Sequence, residues 1–286
     1  MKFADSEFEA YSLRLPTSTA IPLVADSPHS GTIYPPDFQS CLPASILRSG
    51  EDTFVEELWQ GLPSLGATLL MANFPRTYID LNRQVDDIDP NLLAEPWISA
   101  PHPTEKSRLG HGLLWSRVRE HDIYDRKLWV AEVQNRIGSY YEPYHAALRR
   151  QLDTAHERFG GVWHLNLHSM PSDSFELLGL KAHAELADFV LGDLDGTSCD
   201  PTFTGIIEDF LTGCGYTVAR NNPFKGAALV EYTSRPDENR HSLQIEINRK
   251  LYMDEQTYEK NSNFVILQQH LGLLGREVAD FVRLLM

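Results

Sequence analysis

Four side chains able to do chemistry stand at or near the ends of apolar runs: His29 after "PLVADSP", Arg76 after "LLMANFP", His168 closing "HLNLH" and Glu246 inside "LQIEIN". Two imidazoles, one carboxylate ligand and a separate carboxylate base make up a mononuclear zinc hydrolase, with a coordination position left for water. His29 and His168 supply the imidazoles. The third ligand is assigned to Asp52, with Glu51 as the alternative, because an acidic side chain in the first turn of a helix can be aimed back at a strand end. Glu246 lies between Ile245 and Ile247 and so faces away from both. Burial there raises its pKa and suits a base that takes and returns a proton. Pairing with a buried arginine, Arg249 or Arg83, is the structural alternative.

The stretch "RTYIDLNR", Arg76 to Arg83, puts two guanidiniums and an amide into one short span. Guanidinium forks grip carboxylates in a bidentate way that an ammonium cannot. A solvated ion pair between Asp80 and Arg83 would explain part of the same pattern. His164, four residues before His168 on the same strand face, sits deeper in the sheet as a supporting residue.

These residues need strands to present them. "IPLVADS", "GATLLMANF", "GVWHLNLHSMP", "AALVEYTS" and "SLQIEINR" read as strands. "SGEDTFVEELWQGL" reads as a helix capped by Ser49 and "FTGIIEDFLTGCG" as another. The stretch from about Asp122 to Arg158 reads as a long helix broken near Pro143, and the C-terminal segment as an amphipathic helix. Strands interleaved with helices predict an α/β chain whose sheet is covered on both faces, with ligands gathered at the strand carboxyl ends. No linker or repeat divides residues 1–286, so one domain is expected. The Pro- and His-rich segment 86–112 is long enough to be a functional loop.

Of 286 residues, 23% are charged, and the formal net charge is -15. A nucleic-acid or anionic-membrane surface needs a positive field, so neither partner is expected. No apolar run approaches the roughly 18 residues of a membrane span, and the N-terminal residues lack the pattern of a signal peptide. The cysteines, Cys41, Cys199 and Cys214, are scattered, which fits a reducing cytoplasm and leaves any metal to His, Asp and Glu. The sequence does not set an oligomeric state.

Taken together, "ADSPHSG", Asp52, "FPRTYIDLNR", "YYEPYHAAL", "HLNLHSMP", "NNPFKGAALVEYTSRP" and "HSLQIEINRKLYM" resemble the N-formylglutamate amidohydrolase family, a relative of the zinc carboxypeptidases and aspartoacylases. The resemblance implies a three-layer α/β/α fold with a mixed, mostly parallel central sheet. It also implies hydrolysis of N-formyl-L-glutamate to L-glutamate and formate in histidine degradation. On this chain it makes His29 and His168 zinc ligands, although another divalent metal would also serve, and Glu246 the base. Arg76 becomes the carbonyl polariser, and Asn82 with Arg83 the carboxylate clamp. The family's HxxE pattern is not kept, since Thr32 stands three residues after His29. The resemblance adds His145 and Lys225 as substrate contacts. The substrate class is a small N-acyl dicarboxylic amino acid. The rivals are another N-acyl amino acid, a peptidoglycan amide, or non-catalytic binding of a small anion.

Overall fold

In a computed structural model of the chain, residues 2, 3, 9–181 and 185–286 are described. Seven strands form one sheet: β1 (Tyr11–Arg14), β2 (Leu23–Ser27), β3 (Thr68–Ala72), β4 (Val162–Met170), β5 (Phe189–Gly192), β6 (Val218–Arg220) and β7 (Arg240–Asn248). Their order across the sheet is β6-β5-β7-β4-β2-β3-β1. β7 and β2 flank β4 in parallel, β5 runs antiparallel to β7, and β6 is parallel to β5. The sheet is therefore mixed, as the resemblance implied. The longer helices are α1 (Val130–Arg136), α2 (Glu142–Phe159), α3 (Pro201–Gly213), α4 (Ala228–Thr233) and α5 (Phe264–Leu284). Among the described residues no helix is long and apolar enough to cross a membrane.

The chain divides into two compact units, one of residues 1–12, 28–53 and 71–147, the other of residues 13–27, 54–70 and 148–286. In the second unit the two long strands are two-faced. Leu165 and Leu167 of β4 and Leu243, Ile245 and Ile247 of β7 share the apolar face, because residues alternate sides and parallel neighbours in register point the same way. Trp163 belongs to that face and meets Phe203 of α3 and Phe281 of α5, with ring centroids 4.6 and 5.3 Å away. α5 buries Leu267, Leu271, Leu274, Val278 and Val282, the stripe that a helical period demands.

The opposite face carries Asp26 of β2, His164, Asn166 and His168 of β4, and Ser242, Gln244 and Glu246 of β7, all buried. Burying so many polar groups is costly unless they bond to one another. His164 does so on both sides: Nε2 lies 3.0 Å from Asp26 Oδ1 and Nδ1 lies 2.8 Å from Ser242 Oγ. Its supporting place in the sheet is thus occupied by a fully bonded ring.

Three local expectations are corrected. "AALVEYTS" is helix α4, not a strand: Ala228, Leu229 and Val230 are buried and Glu231 and Tyr232 exposed, a helical grouping rather than an alternation. The helix expected around Asp52 is broken into a 3-10 turn, Arg48–Gly50, and a single turn, Val55–Leu58. Phe54 in a left-handed conformation, φ 70°, separates them, and the Ser49 hydroxyl bonds to Ile46 O rather than capping. The long helix does not break at Pro143. A π segment, Ile137–Tyr141, precedes it, and the widened turn there accommodates the missing N–H and the ring.

Candidate metal centre and substrate clamp

In the first unit, Pro28 carries the chain out of β2 and His29 follows at once. Gly31 lets this loop lie against the next segment, since a Cβ there would collide with the backbone of Asn73 and Phe74. His29 is buried, and its Nε2 lies 2.8 Å from Asp80 Oδ1. The same oxygen accepts the backbone N–H of Asn82 at 2.9 Å. Asp80 Oδ2 accepts Arg76 Nε and Nη2 at 3.1 and 2.8 Å and the indole N–H of Trp115 at 2.9 Å. Burial alone would push the Asp80 carboxyl up, but Arg76, Arg83 and His29 outweigh it and hold the group well below the usual carboxylate range.

An ionised Asp80 can only accept, so Nε2 of His29 carries the hydrogen and, in the neutral ring, Nδ1 carries the lone pair. Nδ1 faces Asp52 Oδ2 at 3.4 Å, and Asp52 is pinned there by its own N–H donating to His29 O at 3.0 Å. Two ligands each about 2.05 Å from an ion at the tetrahedral angle stand about 3.3 Å apart, so this pair fits a shared metal. Glu51, the alternative ligand, instead accepts the buried hydroxyl of Tyr34. Asp52 is therefore aimed by a bend between two short helical turns, not by a helix N-terminus.

Arg76 lies over the Trp115 ring, 4.8 Å from its centroid, with Nη1 3.9 Å from Asp52 Oδ1. Arg83 is buried, donating through Nε to His111 O at 2.7 Å and through Nη1 to Asn82 O at 2.8 Å, with Nη2 3.8 Å from Asp80 Oδ2. The Asp80 to Arg83 pair is thus a buried hub rather than a solvated bridge. His111, which the sequence did not single out, packs tilted against Trp115, ring centroids 4.4 Å apart; burial and then the guanidiniums of Arg76 and Arg83 push its imidazole down to about 4. The loop holding Asn82 and Arg83 hangs from the helices by its carbonyls. Arg136 donates to Tyr78 O at 2.9 Å, Tyr141 to Arg83 O at 2.8 Å, and His145 Nε2 to Leu81 O at 2.9 Å.

In the second unit, His168 repeats the arrangement of His29 with a neutral partner. Its Nε2 lies 2.7 Å from Asn166 Oδ1, while Asn166 Nδ2 donates to Asp26 Oδ1 at 2.7 Å. The amide oxygen fixes the hydrogen on Nε2, so in the neutral ring Nδ1 carries the lone pair. Glu246 is buried directly beside His168 in the β7 to β4 register. Lys225 lies in an exposed pair with Asp195 at 2.7 Å. Asp80, Trp115 and Asn166 complete the sites without having been assigned roles from sequence. For Asn166 a signal existed, since the alternation in "HLNLH" puts it on the face of His168.

The family model for N-formylglutamate amidohydrolase matches residues 21–253. N-formylglutamate deformylase of Pseudomonas putida is 29% identical over 238 residues, spanning 82% of this chain and 83% of that protein. The enzyme of the same name from Pseudomonas aeruginosa is 29% identical over 240 residues, 82% of this chain and 84% of that protein. The crystal structure of N-formylglutamate amidohydrolase from Ralstonia eutropha JMP134 is 54% identical, with a TM-score of 0.95 over 96% of this chain and 99% of that one. A gene product of Agrobacterium tumefaciens, 16% identical with a TM-score of 0.67, covers 98% of this chain and 99% of its own and shares the fold.

Proposed function

The chain belongs to the N-formylglutamate amidohydrolase family, and on that premise we propose that it hydrolyses N-formyl-L-glutamate to L-glutamate and formate in a metal-dependent reaction, as a step of histidine degradation in the cytoplasm. What carries the reading is the likeness, over nearly the whole of both chains, to the Ralstonia eutropha protein whose name states that substrate. The ligand set is His29, Asp52 and His168. Its support is the matched preparation of the two rings: each is held at Nε2 by a buried acceptor, which puts the lone pair of the neutral ring on Nδ1. When bound, zinc or another divalent ion supplies Lewis acidity to the formyl carbonyl and lowers the pKa of a water.

Glu246 accepts the proton of the attacking water and returns it to the glutamate nitrogen as the C–N bond breaks, so one carboxylate serves as base and then as acid. Arg76 faces the oxyanion that develops on the formyl oxygen; its Nε and Nη2 are held by Asp80, which fixes the direction of Nη1. Asn82 and Arg83 hold a substrate carboxylate, on a loop whose backbone is already tied by Arg136, Tyr141 and His145. His145 serves the clamp through Leu81. Lys225 is assigned to the second carboxylate on charge alone.

The test is formate release from N-formyl-L-glutamate by zinc-loaded protein, with chelated protein as control. Release that depends on metal is expected. Loaded protein that binds zinc and releases no formate from this substrate, while hydrolysing another N-acyl amino acid, overturns the substrate assignment.

A further inference from the structure

Arg76 is not held by Asp80 as a fork is held by a carboxylate. In a bidentate pair two guanidinium nitrogens meet two oxygens, and the plane of the guanidinium is set by the plane of the carboxylate. Here Nε and Nη2 converge on the single oxygen Oδ2, at 3.1 and 2.8 Å, because Oδ1 is taken by the His29 ring and the Asn82 N–H. Two bonds to one atom act as a pivot and leave the tilt of the guanidinium to be set by something else. Trp115 meets that need twice: its indole N–H donates to the same Oδ2 at 2.9 Å, and its ring faces the guanidinium, whose Cζ lies 4.8 Å from the ring centroid.

The indole is itself held in place by the loop it serves. Leu113 O accepts the Asp80 N–H at 2.7 Å and His111 O accepts Arg83 Nε at 2.7 Å, so the turn from His111 to Trp115 is tied to the arginine loop at two points. His111 and Trp115 pair across this turn as an antiparallel bridge, which puts both rings on one side of it. The benzo edge of the indole lies against Gly50, where a Cβ would come within 3.1 Å of Trp115 Cζ3 and 2.8 Å of Thr77 Cγ2. Trp115 is buried. A site that asked only for apolar volume would be filled by leucine or phenylalanine, with no N–H to satisfy. The flat face and the N–H of this residue are both used on Arg76 and its anchor.

We propose that Trp115 is a positioning residue for Arg76: its indole face sets the tilt of the guanidinium about the Asp80 pivot, and its N–H fixes the oxygen on which that pivot turns. An oxyanion is stabilised best by a donor whose direction is settled before the charge develops. A ring against the cation also takes the place of water on that face. The inference rests on the reading of Arg76 as the group that faces the oxyanion, and it adds the residue that aims it.

The experiment is a double-mutant cycle on zinc-loaded protein. Trp115→Leu, Arg76→Lys and the two together are compared with the unaltered chain in kcat, KM, zinc content and melting temperature, with N-formyl-L-glutamate as substrate and rates taken well below the lowest melting temperature. Trp115→Leu should lower kcat by at least about tenfold, because a tilted guanidinium misses the oxyanion, and should leave KM within about twofold and zinc content unchanged. Arg76→Lys keeps a positive charge beside Asp80 but has no plane to set, so adding Trp115→Leu to it should change kcat by less than about twofold. Lost packing lowers the melting temperature in both backgrounds and does not produce that coupling. A kcat of Trp115→Leu within about twofold of the unaltered chain, a fall of equal size in the Arg76→Lys background, or a fall matched by loss of zinc overturns the inference. If Arg76→Lys turns over normally, the reading of Arg76 is wrong and the inference falls with it; if Arg76→Lys is impaired while Trp115→Leu is normal, only the role of Trp115 falls. Should the leucine variant not fold, Trp115→Phe, which keeps a ring and withdraws the N–H, is read through the same cycle, with a fall in kcat of at least about threefold expected.

Discussion

Asp80→Asn tests the first unit at its centre. The carboxylate is fully buried and gathers the His29 ring, the Nε–Nη2 edge of Arg76, the Trp115 indole and the Asn82 N–H. An asparagine can offer its oxygen to His29 and Asn82, but its NH2 then faces the Arg76 and Trp115 donors, and the largely buried guanidinium exchanges its close counter-ion for Asp52 at 3.9 Å. Removing one partner of such a pair costs about 3 kcal/mol, read by urea unfolding of chelated protein at pH 7. Because the folded pKa is depressed below an unfolded value of about 3.9, the stabilisation from Asp80 is fully present above about pH 5 and is lost as pH falls through the folded value. The stability gap between the unaltered chain and the variant should therefore be constant from pH 7 to about 5 and shrink below about 4. Loss of the ring's anchor should also weaken zinc binding by about 10- to 100-fold in a chelator competition titration. A gap under about 1 kcal/mol that does not change with pH, together with zinc affinity within twofold, would refute the reasoning, because it would mean that the hub neither carries charge nor aims the ring.

Asn166→Leu strips the acceptor from His168 and the donor from Asp26; zinc affinity should fall by about tenfold or more and the chain should lose about 2 kcal/mol, measured by competition titration and urea unfolding. Arg136→Met removes a buried cation bonded to Tyr78 O, Tyr124 and Glu132, and should cost about 3 kcal/mol while leaving zinc affinity unchanged. Chelation should lower the melting temperature of loaded protein, because a ligand at 100 times its Kd stabilises the native state by about 2.7 kcal/mol. An unchanged melting temperature would show that the native state holds no metal.

The strands were legible in the sequence because their periodicity is local. "HLNLH" and "SLQIEIN" alternate without a fault, and the alternation alone places Asn166 and Gln244 on the faces of His168 and Glu246. The hub at Asp80 was half legible: "RTYIDLNR" announced two guanidiniums and a carboxylate, but not that the carboxylate would turn inward to His29, 51 residues earlier in the chain. Asp52 was chosen with the wrong support, since nothing in "SGEDTF" reveals that Phe54 takes a left-handed conformation and ends the helix. Trp115 and His111 were not seen, because an aromatic residue in an aperiodic segment carries no signal until the segment's path is known. α4 was misread because four apolar residues in a row, Ala227 to Val230, suit a short buried strand as well as a helix, and only the exposed pair after them decides.

The π segment Ile137–Tyr141 separates the length of the helical arm from its phase. The three side chains that hold the loop carbonyls are residues 136, 141 and 145, five and then four apart. An unbroken α-helix would put residues 140 and 144 on the face of Arg136. The arm thus has the arithmetic of a regular helix carrying one inserted residue, absorbed within a single widened turn instead of being passed along the following 18 residues. A chain lacking Ser139, an exposed residue of that turn, would close to a regular helix with the same three side chains still facing the loop. What it would give up is the placement of Tyr140, whose ring packs edge-on against Phe74 and Tyr78, centroids 5.1 and 5.0 Å away, on either side of Arg76 in the sequence.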